Sequence, residues 1–235
     1  MAKKRENRDL TAVFVVINAV LAVLLIFGAV IFMKVISEKP HEPIATSSGE
    51  LPGSVFPEDV FGVPVITELM SPTIPARTGI KREIRYIVVH ETDNTARGAD
   101  AKSHSIFLTG GNAGETSWHY TVDDHEIYHH MPDDELAWHV GDTVVPHGGN
   151  RHGVGIELCV NSDGDFEKTL VNGAKLVAYL LHSYDLDMSA VTMHGDFIDK
   201  NCPSNLRGDD RWPEFLRLVK ENYDENEVST SGTDS

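Results

Sequence analysis

The chain of 235 residues is poor in cysteine and in basic residues. Its two cysteines form one bridge at most, which excludes a scaffold built on several disulfides. There are 20 lysine and arginine residues against 36 acidic ones, and the formal net charge is −16. A chain this acidic lacks the cationic surface that neutralises phosphates, so we expect no nucleic-acid partner.

The charge is unevenly distributed along the chain. Residues 1–34 carry five basic and two acidic side chains, a balance of +3, and the other 201 residues carry 15 basic and 34 acidic ones, a balance of −19. Residues 10–33 carry no charge, and as a helix they would extend about 36 Å. This length predicts a transmembrane helix. A cleaved signal peptide is the alternative, but its apolar region is usually only about 7–15 residues long.

The basic residues before the apolar run orient the predicted anchor. By the positive-inside tendency, residues 1–9 form a cytoplasmic stub, and the rest of the chain lies outside a cell membrane that it crosses once. Residues 34–60 are rich in proline, serine and glutamate and are interpreted as a linker, with a reach of about 30 Å if flexible. Residues 61–223 are the predicted catalytic domain, and residues 224–235 are a predicted disordered acidic tail.

The predicted domain alternates between strand-like and helix-like segments. Apolar or β-branched runs predict strands at residues 85–89, 117–122, 126–130, 153–160 and 191–193. Apolar residues at helical spacing predict helices over residues 99–108, 170–184 and 212–223. This order predicts an α/β fold, a single domain with a central mixed β-sheet flanked by helices.

Two of the twelve histidines stand where predicted strands end. His90 and His194 each follow an apolar strand, and strand ends are where open α/β sheets commonly place their sites. Cys202 comes eight residues after His194. Two imidazoles and a thiolate would make a zinc site with a fourth position open to water, which is typical of catalytic zinc. The alternative is a disulfide between Cys202 and Cys159, which an extracytoplasmic location permits.

Six short segments carry a more specific signal. They are IVVHET (87–92), SWHYTV (117–122), AWHVGD (137–142), NRHGVGIELCVN (150–161), HGDF (194–197) and DKNCP (199–203). In this order, over about residues 82–222, they resemble the zinc-dependent N-acetylmuramoyl-L-alanine amidases, which are similar to phage amidases and to peptidoglycan recognition proteins. The resemblance implies a Zn²⁺ cofactor bound by His90, His194 and Cys202. It also implies a peptidoglycan (muropeptide) substrate, cut between N-acetylmuramic acid and L-alanine.

The resemblance also implies two catalytic residues, Glu157 and Lys200. Glu157 is a charged residue in an apolar strand, where burial without a purpose is costly, and a carboxylate there can exchange protons with water. A solvent-facing position is its alternative. Lys200 would stabilise a developing oxyanion, unless it is an ordinary loop lysine. Some family members carry a catalytic tyrosine where this chain has Trp118, which has no useful acid–base proton.

Three further residues are weaker candidates. His119 and the pair Trp138 and His139 would line the cleft and contact glycan or peptide, although packing explains Trp138 equally well. A non-catalytic peptidoglycan-binding module is the alternative function, but such relatives usually lose the cysteine ligand. An ordinary zinc protease lacks support because no His-Glu-x-x-His helix is predicted.

Overall fold

The computed structural model describes residues 57–208 and 211–230. The predicted anchor at residues 10–33 and most of the predicted linker lie outside these residues and stay predictions. Within the described part, no helix is long and apolar enough to cross a membrane.

Seven strands form one mixed β-sheet. In chain order they are β1 (Asp59–Val60), β2 (Val63–Thr67), β3 (Tyr86–Glu91), β4 (Tyr120–Val122), β5 (Ile127–His129), β6 (Gly153–Leu158) and β7 (Val191–Met193). Their order across the sheet is β1, β2, β5, β4, β6, β3 and β7. The β1–β2 and β4–β5 pairs are antiparallel, and the other neighbours are parallel.

Five α-helices accompany the sheet in the described residues. They are α1 (Ala101–Thr109), α2 (Gly149–His152), α3 (Phe166–Ser183), α4 (Ser204–Gly208) and α5 (Trp212–Thr230). Asp100 caps α1 by accepting a hydrogen bond from the Ser103 N–H at 2.8 Å, and Asp165 caps α3 in the same way through Lys168 at 3.3 Å. Gly110 follows α1 directly, and its N–H donates to the Ile106 carbonyl at 3.0 Å.

Helices cover both faces of the sheet. Residues of α3 and α5 form the main core with one face, where Val89 and Ile156 are buried beside Leu170 and Phe215. On the other face, Ala101 of α1 packs against strand residues. The structure therefore confirms the predicted α/β domain with a central mixed sheet.

The structure differs from the predicted elements at several places. Helices α2 and α4 were not predicted, β4 begins three residues later than predicted and α3 begins four residues earlier. Val60 is 2% exposed in β1, so the packed domain includes the last residues of the predicted linker. Strand β2 was not predicted, because Pro64 interrupts its apolar run and proline is unfavourable inside sheets. Helix α5 continues to Thr230, seven residues beyond the predicted end at residue 223, so it includes residues 224–230 of the predicted disordered tail. The rest of that tail lies outside the described residues.

Candidate metal centre

Three neighbouring strands bring the predicted residues to one edge of the sheet. Strand β3 lies between β6 and β7, and all three are parallel. His90 near the end of β3 pairs in register with Glu157 of β6. Val89 pairs with Met193, so His194, the next residue after β7, comes beside His90. The carboxyl ends of parallel strands thus collect these side chains, as the sequence predicts.

The side chains of His90, His194 and Cys202 meet in one buried cluster. Their nitrogen and sulfur atoms all lie within 4.8 Å of one another. His194 Nδ1 is 2.9 Å and Cys202 Sγ is 3.8 Å from His90 Nδ1. The donor atoms around a tetrahedral zinc ion stand about 3.3–3.6 Å apart. The cluster therefore fits zinc in donor type and in approximate spacing.

A hydrogen bond on the far nitrogen orients each imidazole. His194 Nε2–H donates to the Val140 carbonyl at 2.8 Å, which leaves the Nδ1 lone pair directed at the cluster. His90 Nε2 lies 2.8 Å from His139 Nδ1, and when His90 donates this bond its own Nδ1 is free as well. Histidines that bind metals in proteins are usually held in this way.

Burial keeps both imidazoles in the neutral form that metal binding requires. It lowers the pKa of His194 to about 4 and, together with His139, the pKa of His90 well below its usual range. Burial and the nearby Glu157 carboxylate raise the pKa of the Cys202 thiol to about 12. The thiol therefore releases its proton only when a metal cation takes the proton's place.

A buried carboxylate holds the segment that carries Cys202. Glu91 of β3 is 4% exposed, and one of its oxygens accepts hydrogen bonds from Ser204 Oγ and from the N–H and side-chain amide of Asn205. Its other oxygen accepts from the Leu206 N–H at 3.1 Å. Glu91 therefore caps α4, the helix that begins two residues after Cys202, and ties it to the strand of the first histidine.

Glu157 lies at the edge of the cluster. Its Oε1 is 3.8 Å from His90 Nδ1 and its side chain is 16% exposed, so the solvent-facing alternative is wrong. Burial raises the pKa of Glu157 to about 8, and Lys200 opposes this shift. Its Oε2 is buried and has no hydrogen-bond partner among the described residues. A carboxylate oxygen in this position is available to a water or a substrate group.

Lys200 approaches the same cluster from an exposed loop. Its ammonium group lowers the pKa of both Glu157 and His194, which places a positive charge near the cluster. The Lys200 carbonyl accepts hydrogen bonds from the Cys202 N–H and from Arg207 Nη1, so the loop backbone is held while the side chain stays exposed.

The three weaker candidates, His119, Trp138 and His139, do not line a common cleft. His119 is 0% exposed, its Nδ1 accepts from the Gly155 N–H, and its Nε2 donates to the Glu135 carbonyl. Its predicted contact with substrate is therefore wrong. His139 contacts His90 from behind, and a role for the partly buried Trp138 stays a prediction.

Trp118 supports the packing of the domain. It is 6% exposed and packs in a small core, and its Nε1 donates to Thr121 Oγ1 at 2.7 Å. The side chain standing where some family members carry a tyrosine is therefore fixed in the interior.

The letters His-Glu-x-x-His do occur once, at residues 125–129, but on the β4–β5 hairpin. The ring of His129 is fully buried against Tyr120, whereas the side chain of His125 is 78% exposed. A zinc-protease motif needs both histidines on one face of a helix. Among the described residues, His90, His194 and Cys202 are the one group that can hold a metal ion.

The two cysteines are both free. Cys159 is buried beside Ala101 and Tyr128, away from the ligand set. The alternative of a disulfide between Cys159 and Cys202 is therefore wrong.

A cavity of about 530 Å³ lies at the other ends of β3 and β6. Its lining includes Lys81, Arg85 and Arg151, but Lys81 pairs with Asp134 and Arg85 pairs with Glu83. None of the cluster residues lines this cavity. The candidate site is therefore the His-His-Cys cluster.

Comparison with known sequences points to one family. A family model described as N-acetylmuramoyl-L-alanine amidase matches residues 80–205, more than half of the chain. The amidase CwlH of Bacillus subtilis (strain 168) is 45% identical over 143 residues, which are 61% of this chain and 56% of that protein. The amidase XlyA of the same strain is 42% identical over 139 residues, 59% of this chain and 45% of that protein. The chain thus spans about half the length of these relatives.

Comparison with solved structures agrees. The structure of the catalytic domain of XlyA superposes with a TM-score of 0.63 and 39% identity, and covers 67% of this chain and 99% of that domain. The structure of PlyL gives a TM-score of 0.61 and 27% identity, and the match covers 67% of this chain and 97% of the PlyL chain.

Proposed function

Because the chain belongs to the N-acetylmuramoyl-L-alanine amidase family, we propose that it is a zinc-dependent peptidoglycan amidase. It hydrolyses the amide bond between the lactyl group of N-acetylmuramic acid and the L-alanine of the stem peptide. The observation that carries this proposal is the buried cluster of His90, His194 and Cys202 with Glu157 at its edge.

His90, His194 and Cys202 hold the zinc ion in this proposal. Three protein ligands leave one position for water, which is the arrangement of catalytic zinc. Bound there, zinc supplies a water of lowered pKa and polarises the substrate carbonyl. The protein keeps the two imidazoles neutral and oriented through His139 and Val140.

Glu157 and Lys200 carry the proton and charge steps. Glu157 accepts the proton of the attacking water and delivers it to the leaving amide nitrogen, which departs as the free amine of L-alanine. Lys200 presents its ammonium to the oxyanion that develops on the carbonyl oxygen. Trp118 takes no part, because its N–H is committed to Thr121.

Digestion of purified cell wall, followed by mass analysis of the products, tests the activity. The proposal predicts free stem peptides that begin with L-alanine, together with glycan strands whose lactyl groups end in carboxylates. Intact wall with the protein bound to it would instead indicate a non-catalytic binding module. Peptides cut inside the stem would indicate a peptidase.

We also propose that residues 10–33 anchor the enzyme in the cell membrane with its catalytic domain outside. The support is the uncharged run of the sequence and the basic residues before it. The full chain should float with lipid vesicles in a density gradient and should resist extraction by carbonate. Recovery of a shortened chain that lacks residues 1–33 from cells would indicate cleavage instead.

A further inference from the structure

The two metal-facing histidines are oriented from the same dipeptide. His139 offers Nδ1 to His90 Nε2, and the next residue, Val140, offers its carbonyl to His194 Nε2. A displacement of this dipeptide would therefore change the orientation of both imidazoles at once.

One buried side chain fixes the dipeptide. Asn150 is 1% exposed, and its Oδ1 accepts hydrogen bonds from the N–H groups of both His139, at 2.9 Å, and Val140, at 2.7 Å. Its Nδ2 donates to the Thr143 carbonyl at 3.0 Å. Both ends of the amide are thus bonded to the loop over residues 139–143.

The loop over residues 139–143 also accepts hydrogen bonds from the segment of Asn150, and it packs closely against Gly149 and Gly155. Asp142 accepts hydrogen bonds from the Gly149 N–H at 2.6 Å and the Asn150 N–H at 3.3 Å. A Cβ at Gly149 would lie 2.6 Å from the Val140 side chain, and a Cβ at Gly155 would lie 2.8 Å from the His139 ring. There is little free space for the dipeptide to shift within the folded chain.

We propose that Asn150 is a positioning residue of the metal centre, which sets zinc affinity by holding His139 and Val140 where they orient His90 and His194. The proposal rests on the proposed function, because it assumes that this cluster binds zinc. The hydrogen bonds of the Asn150 side chain go to His139, Val140 and Thr143, and none of them goes to a proposed metal ligand. Asn150 acts on the orientation of the two imidazoles through the backbone N–H groups of His139 and Val140.

Zinc affinity, measured by competition with a chromophoric chelator, tests this role. Asn150→Ala should weaken zinc binding by about 10–100-fold, which is the usual cost of losing a group that orients a ligand. Asn150→Asp keeps an oxygen facing both N–H groups and should recover at least tenfold of that loss. The matched control is Asn172→Ala in α3, which removes a side-chain hydrogen bond to the Asp123 carbonyl and none to the loop over residues 139–143. It should leave zinc affinity unchanged.

Cobalt spectra separate positioning from general destabilisation. In the Co²⁺-loaded chain, Asn150→Ala should shift the visible absorption bands of the metal, and Asn172→Ala should not. Wild-type zinc affinity and spectra in Asn150→Ala would overturn the inference, as would an equal loss in both variants. If the wild-type chain binds no zinc, the proposed function fails instead.

Discussion

Glu157 is the residue whose predicted role is most sharply defined by its surroundings. Its carboxylate approaches His90 within 3.8 Å but is not one of the three grouped donors. Glu157→Gln keeps the shape and removes the proton acceptor, so wall digestion should slow by a factor of about 10²–10⁴. Zinc content should stay at the wild-type level.

Metal analysis and digestion rates of the same preparations check this prediction. Glu115→Gln, which changes an exposed carboxylate, serves as the control and should digest wall normally. Loss of zinc from Glu157→Gln would make Glu157 a ligand. Normal turnover would remove it from the mechanism.

His130 makes the domain sensitive to acid. Burial lowers its pKa to about 3, with smaller contributions from His129 and His104. Thr121 Oγ1, which accepts a hydrogen bond from Trp118 Nε1, lies 2.9 Å from His130 Nε2 and holds the buried ring in place. In the unfolded chain the pKa is about 6.5. The unfolded state therefore takes up the proton first as pH falls below 6.5, and stability is lost progressively from there downwards.

Urea unfolding of the chain in excess chelator measures this effect. Between pH 6.5 and 5 one such imidazole costs about 2 kcal/mol. His130→Gln should therefore lose about 2 kcal/mol less over this interval than the wild type. His125→Gln, at an exposed position, should behave as the wild type does. Equal losses in all three chains would contradict the assignment.

The residues that bear the chemistry were more predictable than those that hold them. His90 and His194 follow apolar runs, and Cys202 and Glu157 are conspicuous in their segments, so local pattern and family resemblance are enough to select them. Asn150 lies in a segment that supports the resemblance, yet nothing local indicates that its amide oxygen accepts hydrogen bonds from two N–H groups ten and eleven residues away. Such roles arise only from tertiary hydrogen bonds.

At the scale of elements, α4 and β3 are joined by Glu91. Glu91→Ala would leave the buried N–H of Leu206 and the partly buried N–H of Asn205 without an acceptor and should lower the free energy of unfolding by about 3 kcal/mol. Zinc affinity should fall as well, because α4 fixes the segment of Cys202. Chemical denaturation and chelator competition measure the two effects.

The control for this change is Glu83→Ala. Glu83 is an exposed carboxylate that pairs with Arg85 two residues away, and such pairs contribute little to stability. The account of the Cys202 segment would be wrong if Glu91→Ala and Glu83→Ala gave the same stability and the same zinc affinity.

Element predictions succeeded where pattern and packing agree. Asp123 stands between the predicted strands 117–122 and 126–130, and its carboxylate accepts hydrogen bonds from the backbone N–H groups of residues 125 and 126, so local chemistry is enough to form the turn there. Helix α3 buries Leu170, Ala174, Val177 and Leu181 at helical spacing. Strand β2 was missed because its pairing with β5 is a long-range contact that compensates for an unfavourable local sequence.

At the scale of the whole molecule, charge is the dominant feature. The residues after Lys34 carry a balance of 15 basic against 34 acidic side chains. We expect repulsion between this body and anionic wall polymers at low ionic strength, where the Debye length is about 30 Å at 0.01 M. The wall-digestion rate should therefore rise as salt increases from 0.01 M to 0.15 M. A rate that falls over this range would contradict the expectation.

The central claim is that one metal ion, held by His90, His194 and Cys202, makes the domain an amidase. The most direct test is to titrate zinc into the metal-free chain while free stem peptides released from purified wall are measured. The account predicts that peptide release rises linearly with zinc and levels off at one equivalent per chain, and that Cys202→Ala releases almost none at any zinc level. Full release by the metal-free chain, or normal release by Cys202→Ala, would contradict it.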